Sequence, residues 1–209
     1  MKRVSLVFMI ACALGLPLAI QRVGGGAELR PPAAEIPGVD ELPPHLAELV
    51  PMCLACHGEN GVPNYAESPV IDGQHEGYTY IQLRDYKNGA RKHEVMNEIV
   101  KDLSRQELRE LAAFFAKRPW PRLEQQAEEG DDILAERLAS AGMCKECHLD
   151  DYMGESTVPR LAGQLTSYLV ATMRAFKTKE RANNAAMSNL LDTYTDEEID
   201  ALARYLGAL

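Results

Sequence analysis

Apolar positions are arranged in three ways along the 209-residue chain. From Val4 to Ile20 they form an almost unbroken run. Further on they recur three and four apart, as on one face of a helix. Leu46, Leu49 and Val50 make one such face, and Ile133, Leu134, Leu138 and Ala141 make another. Tyr78 to Asn88 and Tyr168 to Lys177 predict middle helices. The clearest stripes are Leu108, Leu111, Ala112 and Phe115, and then Ile199, Leu202, Ala203 and Leu206. Each follows a capping-box pattern, Ser104 with Glu107 and Thr195 with Glu198, in which hydroxyl and carboxylate satisfy the free amides of a helix start. No segment alternates as a half-buried strand does. The fold class is all-α.

The helical pattern occurs twice. Cys53-Leu54-Ala55-Cys56-His57 returns as Cys144-Lys145-Glu146-Cys147-His148, 91 residues later. Pro69, Gly73, Gln74, Tyr78, Tyr86, Lys87 and Arg91 answer to Pro159, Gly163, Gln164, Tyr168, Phe176, Lys177 and Arg181 at an offset of 90, and Met96 answers to Met187 at 91. So many features in one order mark a duplicated domain. The proline cluster at Pro119 and Pro121 cannot continue a helix and sets the boundary. The expected organisation is a signal peptide over 1–27, a Pro-rich leader over 28–41, a first domain over 42–117, a linker over 118–130 and a second domain over 131–209. Domains of roughly 80 residues have small cores and gain from an internal prosthetic group.

The signal rests on Lys2 and Arg3, the apolar run, and the small residues up to Ala27. The alternative is an uncleaved membrane anchor, since the run is only slightly short for a span. Residues 1–27 hold three basic side chains and no acid, so their removal takes the net charge from −9 to −12. Such a chain is a poor partner for nucleic acid or anionic lipid and suits a partner with a basic docking patch. Contact with a membrane is expected only through a partner or an uncleaved signal.

Beyond Cys12, the four remaining cysteines form two Cys-x-x-Cys pairs, each followed at once by histidine. That is the attachment signature of c-type haem. Cysteines three apart share one face of a helical turn and can form thioethers with the two vinyl groups on one edge of the porphyrin. The next histidine can then turn under the ring to the iron. Cys53 and Cys56 are therefore expected to fix one haem c above His57, and Cys144 and Cys147 a second above His148. A thioredoxin-like dithiol would require a βαβ setting. Zinc would require four ligands drawn together from both motifs.

Met96 and Met187 each lie 39 residues past the histidine of their half and are the expected sixth ligands of the haem irons. A methionine that merely fills a core is the competing reading. No histidine follows His148, and Met173 answers to Leu83. In the first half His93 is the rival to Met96; His75 follows the Gly-Gln pair, and His45 is read as a surface or packing residue. The loops at Pro69 and Pro159 are candidate acceptors for the second ring N–H of each axial histidine. Arg91 and Arg181 are either partners of the haem propionates or solvated surface residues.

With these residues in view, positions 42–209 resemble the dihaem class I cytochromes of the cytochrome c4 family. The likeness is carried by Cys53 to Gly58, Gly73-Gln74 and Met96, and by Cys144 to His148, Gly163-Gln164 and Met187. It implies two tandem class I cytochrome c domains packed face to face, each wrapped around one His/Met-ligated haem, shuttling electrons to terminal oxidases in the bacterial periplasm. From Leu161 to Leu169 and on to Met187, the second half is also similar to the dihaem subunit of flavocytochrome c sulfide dehydrogenase. One departure is Leu149 after His148, where the first half has Gly58.

Three functions follow. The chain is a carrier of single electrons between redox proteins such as an upstream cytochrome and a terminal oxidase, with no catalytic residues of its own. Alternatively it is the electron-accepting cytochrome subunit of a flavoprotein dehydrogenase complex, with any flavin on another chain. A haem catalyst or gas sensor is the third reading, and it needs an open sixth position.

Overall fold

The structure, a computed structural model, describes residues 42–209, which belong to one compact unit. The expected signal peptide and leader lie outside the described residues. In the first half the helices are α1 (Pro44–Ala47), α2 (Val50–His57), α3 (Glu76–Lys87), α4 (Glu94–Val100) and α5 (Arg105–Lys117). In the second they are α6 (Asp131–Ala141), α7 (Cys144–His148), α8 (Thr166–Lys177), α9 (Ala185–Leu191) and α10 (Asp196–Ala208). Among the described residues there is no strand, only an isolated bridge between Glu155 and Val158. No described helix is long and apolar enough to cross a membrane.

Both closing helices start on the expected capping boxes, at Ser104 with Glu107 and at Thr195 with Glu198. Their stripes are the floors of two separate cores. Leu108, Leu111 and Phe115 of α5 pack with Leu46, Val50, Leu54 and Tyr86. Ile199, Leu202 and Leu206 of α10 pack with Ala135, Leu138, Leu169 and Phe176. Each such buried aliphatic side chain contributes about 1.5–3 kcal/mol.

The face expected on α6 is turned. Ile133 is 76% exposed, and the buried residues are Asp131, Ala135, Leu138 and Ala139. The buried Asp131 forms a bidentate pair with the Arg204 guanidinium, at 2.7 and 2.8 Å. It ties the start of α6 to α10, on the face opposite the exposed Ile133.

Closing helices also hold the Gly-Gln loops. Gly73 N–H donates to Phe115 O at 2.8 Å, and Gly163 N–H to Leu206 O at 2.9 Å. A Cβ on Gly73 would lie 2.8 Å from the backbone nitrogen of Trp120, and the residue has a positive φ of 69°. Only glycine meets both conditions there.

The loop after the first motif is tied down by a buried ion pair. Arg118 donates through Nε to Asp72 Oδ2 at 2.9 Å and through Nη2 to Glu59 O. The two side chains are 3% and 2% exposed. In the second half Ala162 stands where Asp72 does, so this lock is not repeated.

Candidate haem cradles

Cys53, Cys56 and His57 lie on the single helix α2, and Cys144, Cys147 and His148 on α7. All four thiols are free. Burial pushes Cys53 up to about 11 and raises Cys144 as well, the opposite of what a reactive redox dithiol needs. Among the described residues no three His, Cys, Asp or Glu side chains gather as a metal cluster, so the pooled ligand set that zinc requires is not formed.

Both histidines are buried. His57 Nδ1 lies 2.8 Å from Pro69 O, and His148 Nδ1 lies 3.1 Å from Pro159 O. A carbonyl can only accept, so each Nδ1 carries the proton and donates. Burial lowers both imidazole pKa values, against the smaller opposing effect of these hydrogen bonds. Each ring is thereby held neutral, with the Nε2 lone pair available to a metal. The acceptors are the prolines of the two expected loops.

After the histidine the halves diverge. Gly58 ends α2 at φ 87°, ψ 137°. Leu149 ends α7 at φ 65°, ψ 168°, a region almost reserved for glycine. Leu149→Gly is expected to stabilise the chain by about 1 kcal/mol, read from the midpoint of denaturant unfolding.

Met96 and Met187 occupy equivalent places on α4 and α9, and each packs against the core of its half. His93 caps α4, its Nδ1 accepting from Met96 N–H at 3.3 Å. Asn184 caps α9 in the same way, accepting from Met187 N–H at 3.2 Å. The next residue ties each helix to its arginine: Asn97 Nδ2 donates to Arg91 O at 3.1 Å, and Ser188 Oγ to Arg181 O at 3.3 Å. His93 thus spends its Nδ1 lone pair on the helix start. His75 Nε2 lies 2.8 Å from Met153 O, and His45 Nε2 pairs with Glu110 at the surface. Met96→Ala is expected to remove the weak far-red ferric band of one haem while His93→Ala leaves it, as absorption spectra of the oxidised variants would show.

Arg91 and Arg181 are buried rather than solvated, at 8% and 7% exposure. Each crosses to the other half. Arg91 Nη2 donates to Tyr168 OH at 3.0 Å, and Arg181 Nη2 to Tyr78 OH at 3.3 Å. Gln82 Oε1 accepts from both guanidinium groups, at 3.0 and 2.9 Å. Each guanidinium also stacks on the aromatic ring of its own half, Tyr86 at 4.6 Å and Phe176 at 4.3 Å. Among the described residues neither arginine has a carboxylate partner. Two buried cations without an anion are unfavourable on their own. Burial would raise the Tyr168 phenol, but Arg91 and Arg181 override it and bring it down to about 7. This surplus of buried positive charge fits haem propionates, and the neutral histidines and paired thiols fit the rest of the group.

The glutamines of the two Gly-Gln pairs join the halves reciprocally. Gln164 Oε1 accepts from Val70 N–H at 2.8 Å, and its Nε2 donates to Val70 O at 3.0 Å. Gln74 Oε1 accepts from Arg160 N–H at 2.9 Å, and its Nε2 donates to Arg160 O at 3.0 Å. The repeat marked both glutamines as equivalent; that they reach into each other's half required the tertiary structure.

No family model matches the chain. The crystal structure of reduced recombinant cytochrome c4 from Pseudomonas stutzeri superposes with a TM-score of 0.69 at 28% identity, over 77% of this chain and 94% of that one. Fold and site together define a tandem dihaem class I c-type cytochrome. Cytochrome c4 of Thiocapsa roseopersicina is 33% identical over 168 residues, 76% of this chain and 87% of the relative. The thiosulfate dehydrogenase electron acceptor of Stutzerimonas stutzeri is 32% identical over 170 residues, 74% and 77% of the two chains. The chain belongs to the cytochrome c4 family, whose members are electron-transfer proteins carrying two covalently bound haem c groups.

Proposed function

We propose that this chain works in the periplasm, taking single electrons from a dehydrogenase of a small inorganic sulfur donor and passing them to a respiratory acceptor such as a terminal oxidase. The duplicated, mutually hydrogen-bonded cradle carries the reading. It suits a two-electron reservoir fed by a dehydrogenase and emptied one electron at a time. The donor class is supported by the relative named as a thiosulfate dehydrogenase electron acceptor. Export is supported by the N-terminal pattern of basic residues, apolar run and small residues.

In this reading Cys53 and Cys56 hold one haem and Cys144 and Cys147 the other. His57 with Met96, and His148 with Met187, are the axial pairs. When bound, haem c supplies reversible one-electron storage at its iron. The chain's own residues prepare for it. Pro69 and Pro159 orient the histidines and fix their tautomer. Arg91 and Arg181 neutralise the propionates at the joint. The proposed domains are 42–117 and 131–209, joined by residues 118–130.

The test is rapid mixing of the oxidised, haem-loaded protein with a thiosulfate dehydrogenase and thiosulfate, followed by a terminal oxidase. Reduction and then reoxidation of both haems, slowing as salt is raised, is the expected result. The salt effect follows from the acidic surface meeting a basic patch. Reduction only by a flavoprotein that co-purifies in fixed proportion would replace the carrier with a permanent subunit of a flavin-containing complex.

A further inference from the structure

We propose that Gln74 and Gln164 are positioning residues, each setting the reduction potential of the haem held in the opposite half. The inference rests on His57 and His148 being the axial ligands. Pro69 O and Val70 N–H belong to one peptide group, conjugated through its C–N bond. That group accepts the His57 proton at its oxygen and gives its own N–H to Gln164 from the other half. The Pro159–Arg160 peptide does the same between His148 and Gln74.

Hydrogen bonds in such a chain polarise one another. An acceptor on the N–H places more negative charge on the carbonyl oxygen. The oxygen then draws the imidazole N–H more strongly and makes the ring a more basic ligand. A more electron-rich ligand favours the oxidised metal and lowers the potential. The amide orientation follows from its surroundings. Gln164 Oε1 faces two donors, Val70 N–H and Leu165 N–H, and Gln74 Oε1 likewise faces Arg160 N–H and His75 N–H. Both side chains are buried, at 4% and 3% exposure, so water does not compete for these bonds.

The experiment is a spectroelectrochemical titration of the full haem-loaded chain, each potential assigned by the haem methyl proton resonances. Gln164→Leu removes the acceptor and is expected to raise the potential of the haem at Cys53 and Cys56, leaving the other in place. Gln74→Leu should do the reverse. Gln164→Glu keeps an oxygen facing Val70 N–H and should leave the first haem at or below its wild-type potential. A joint that is merely loosened would move the Leu and Glu variants in the same direction. That outcome, equal shifts at both haems, a shift confined to the variant's own half, or no shift would each overturn the proposal. Failure of the ligand assignment shows separately: His57→Ala would then retain a low-spin first haem with unchanged spectra.

Discussion

A chain carrying Cys53→Ala and Cys56→Ala is expected to retain one haem in place of two, measured as the pyridine haemochrome of purified protein against its concentration. Both thiols sit on α2, four residues and one residue ahead of a histidine whose ring is already fixed by Pro69. Without thioethers the proposed ligands His57 and Met96 would have to hold the group alone. The loss should not stop at stoichiometry. Leu54 and Val50 belong to the same core as the closing helix α5, and Arg91 would be left buried without the propionate proposed to neutralise it. The first half is therefore expected to unfold at lower temperature than the second, as two transitions in a calorimetric scan. Two haems in the double variant would remove these cysteines from the site.

Asp72→Ala is expected to lower stability by about 3–5 kcal/mol, because it leaves the Arg118 charge buried and unpaired. In a chain of this size that corresponds to a fall of roughly 6–20 °C in thermal midpoint, followed by circular dichroism. The pair is nearly sealed from solvent, and Asp72 Oδ1 has no hydrogen-bond partner among the described residues. It therefore contributes more to fixing the loop at Glu59 than to net stability. The double change Asp72→Leu with Arg118→Met should recover much of the loss, since an apolar pair of similar volume needs no desolvation of charge. A single-variant loss below about 1 kcal/mol would show that water reaches the site.

Much of this was legible in the chain because the signals are local. A capping box spans four residues, an apolar stripe spans two or three turns, and Cys-x-x-Cys-His sits within one helix. The duplication added distance: it paired Met96 with Met187 across 91 residues and pointed to Pro69 and Pro159 as acceptors. What it did not show is who touches whom between the halves. Equivalent positions reveal that Gln74 and Gln164 matter alike, not that each serves the other's loop. The Asp72–Arg118 pair has no counterpart in the repeat, so comparing the halves was blind to it. Periodicity sees one helix at a time and puts Ile133 inward, whereas the face of α6 that is buried carries Asp131, paired with Arg204 of another helix.

The reciprocal glutamines also bear on the history of the molecule. A single ancestral half could have bound its haem with its own proline and histidine. With each copy lending a side chain to its neighbour, a released half would leave the backbone of Val70 or Arg160 without its glutamine. The joint acts as a ratchet: the two halves differ in sequence, as at Gly58 and Leu149, yet each still takes a glutamine from the other.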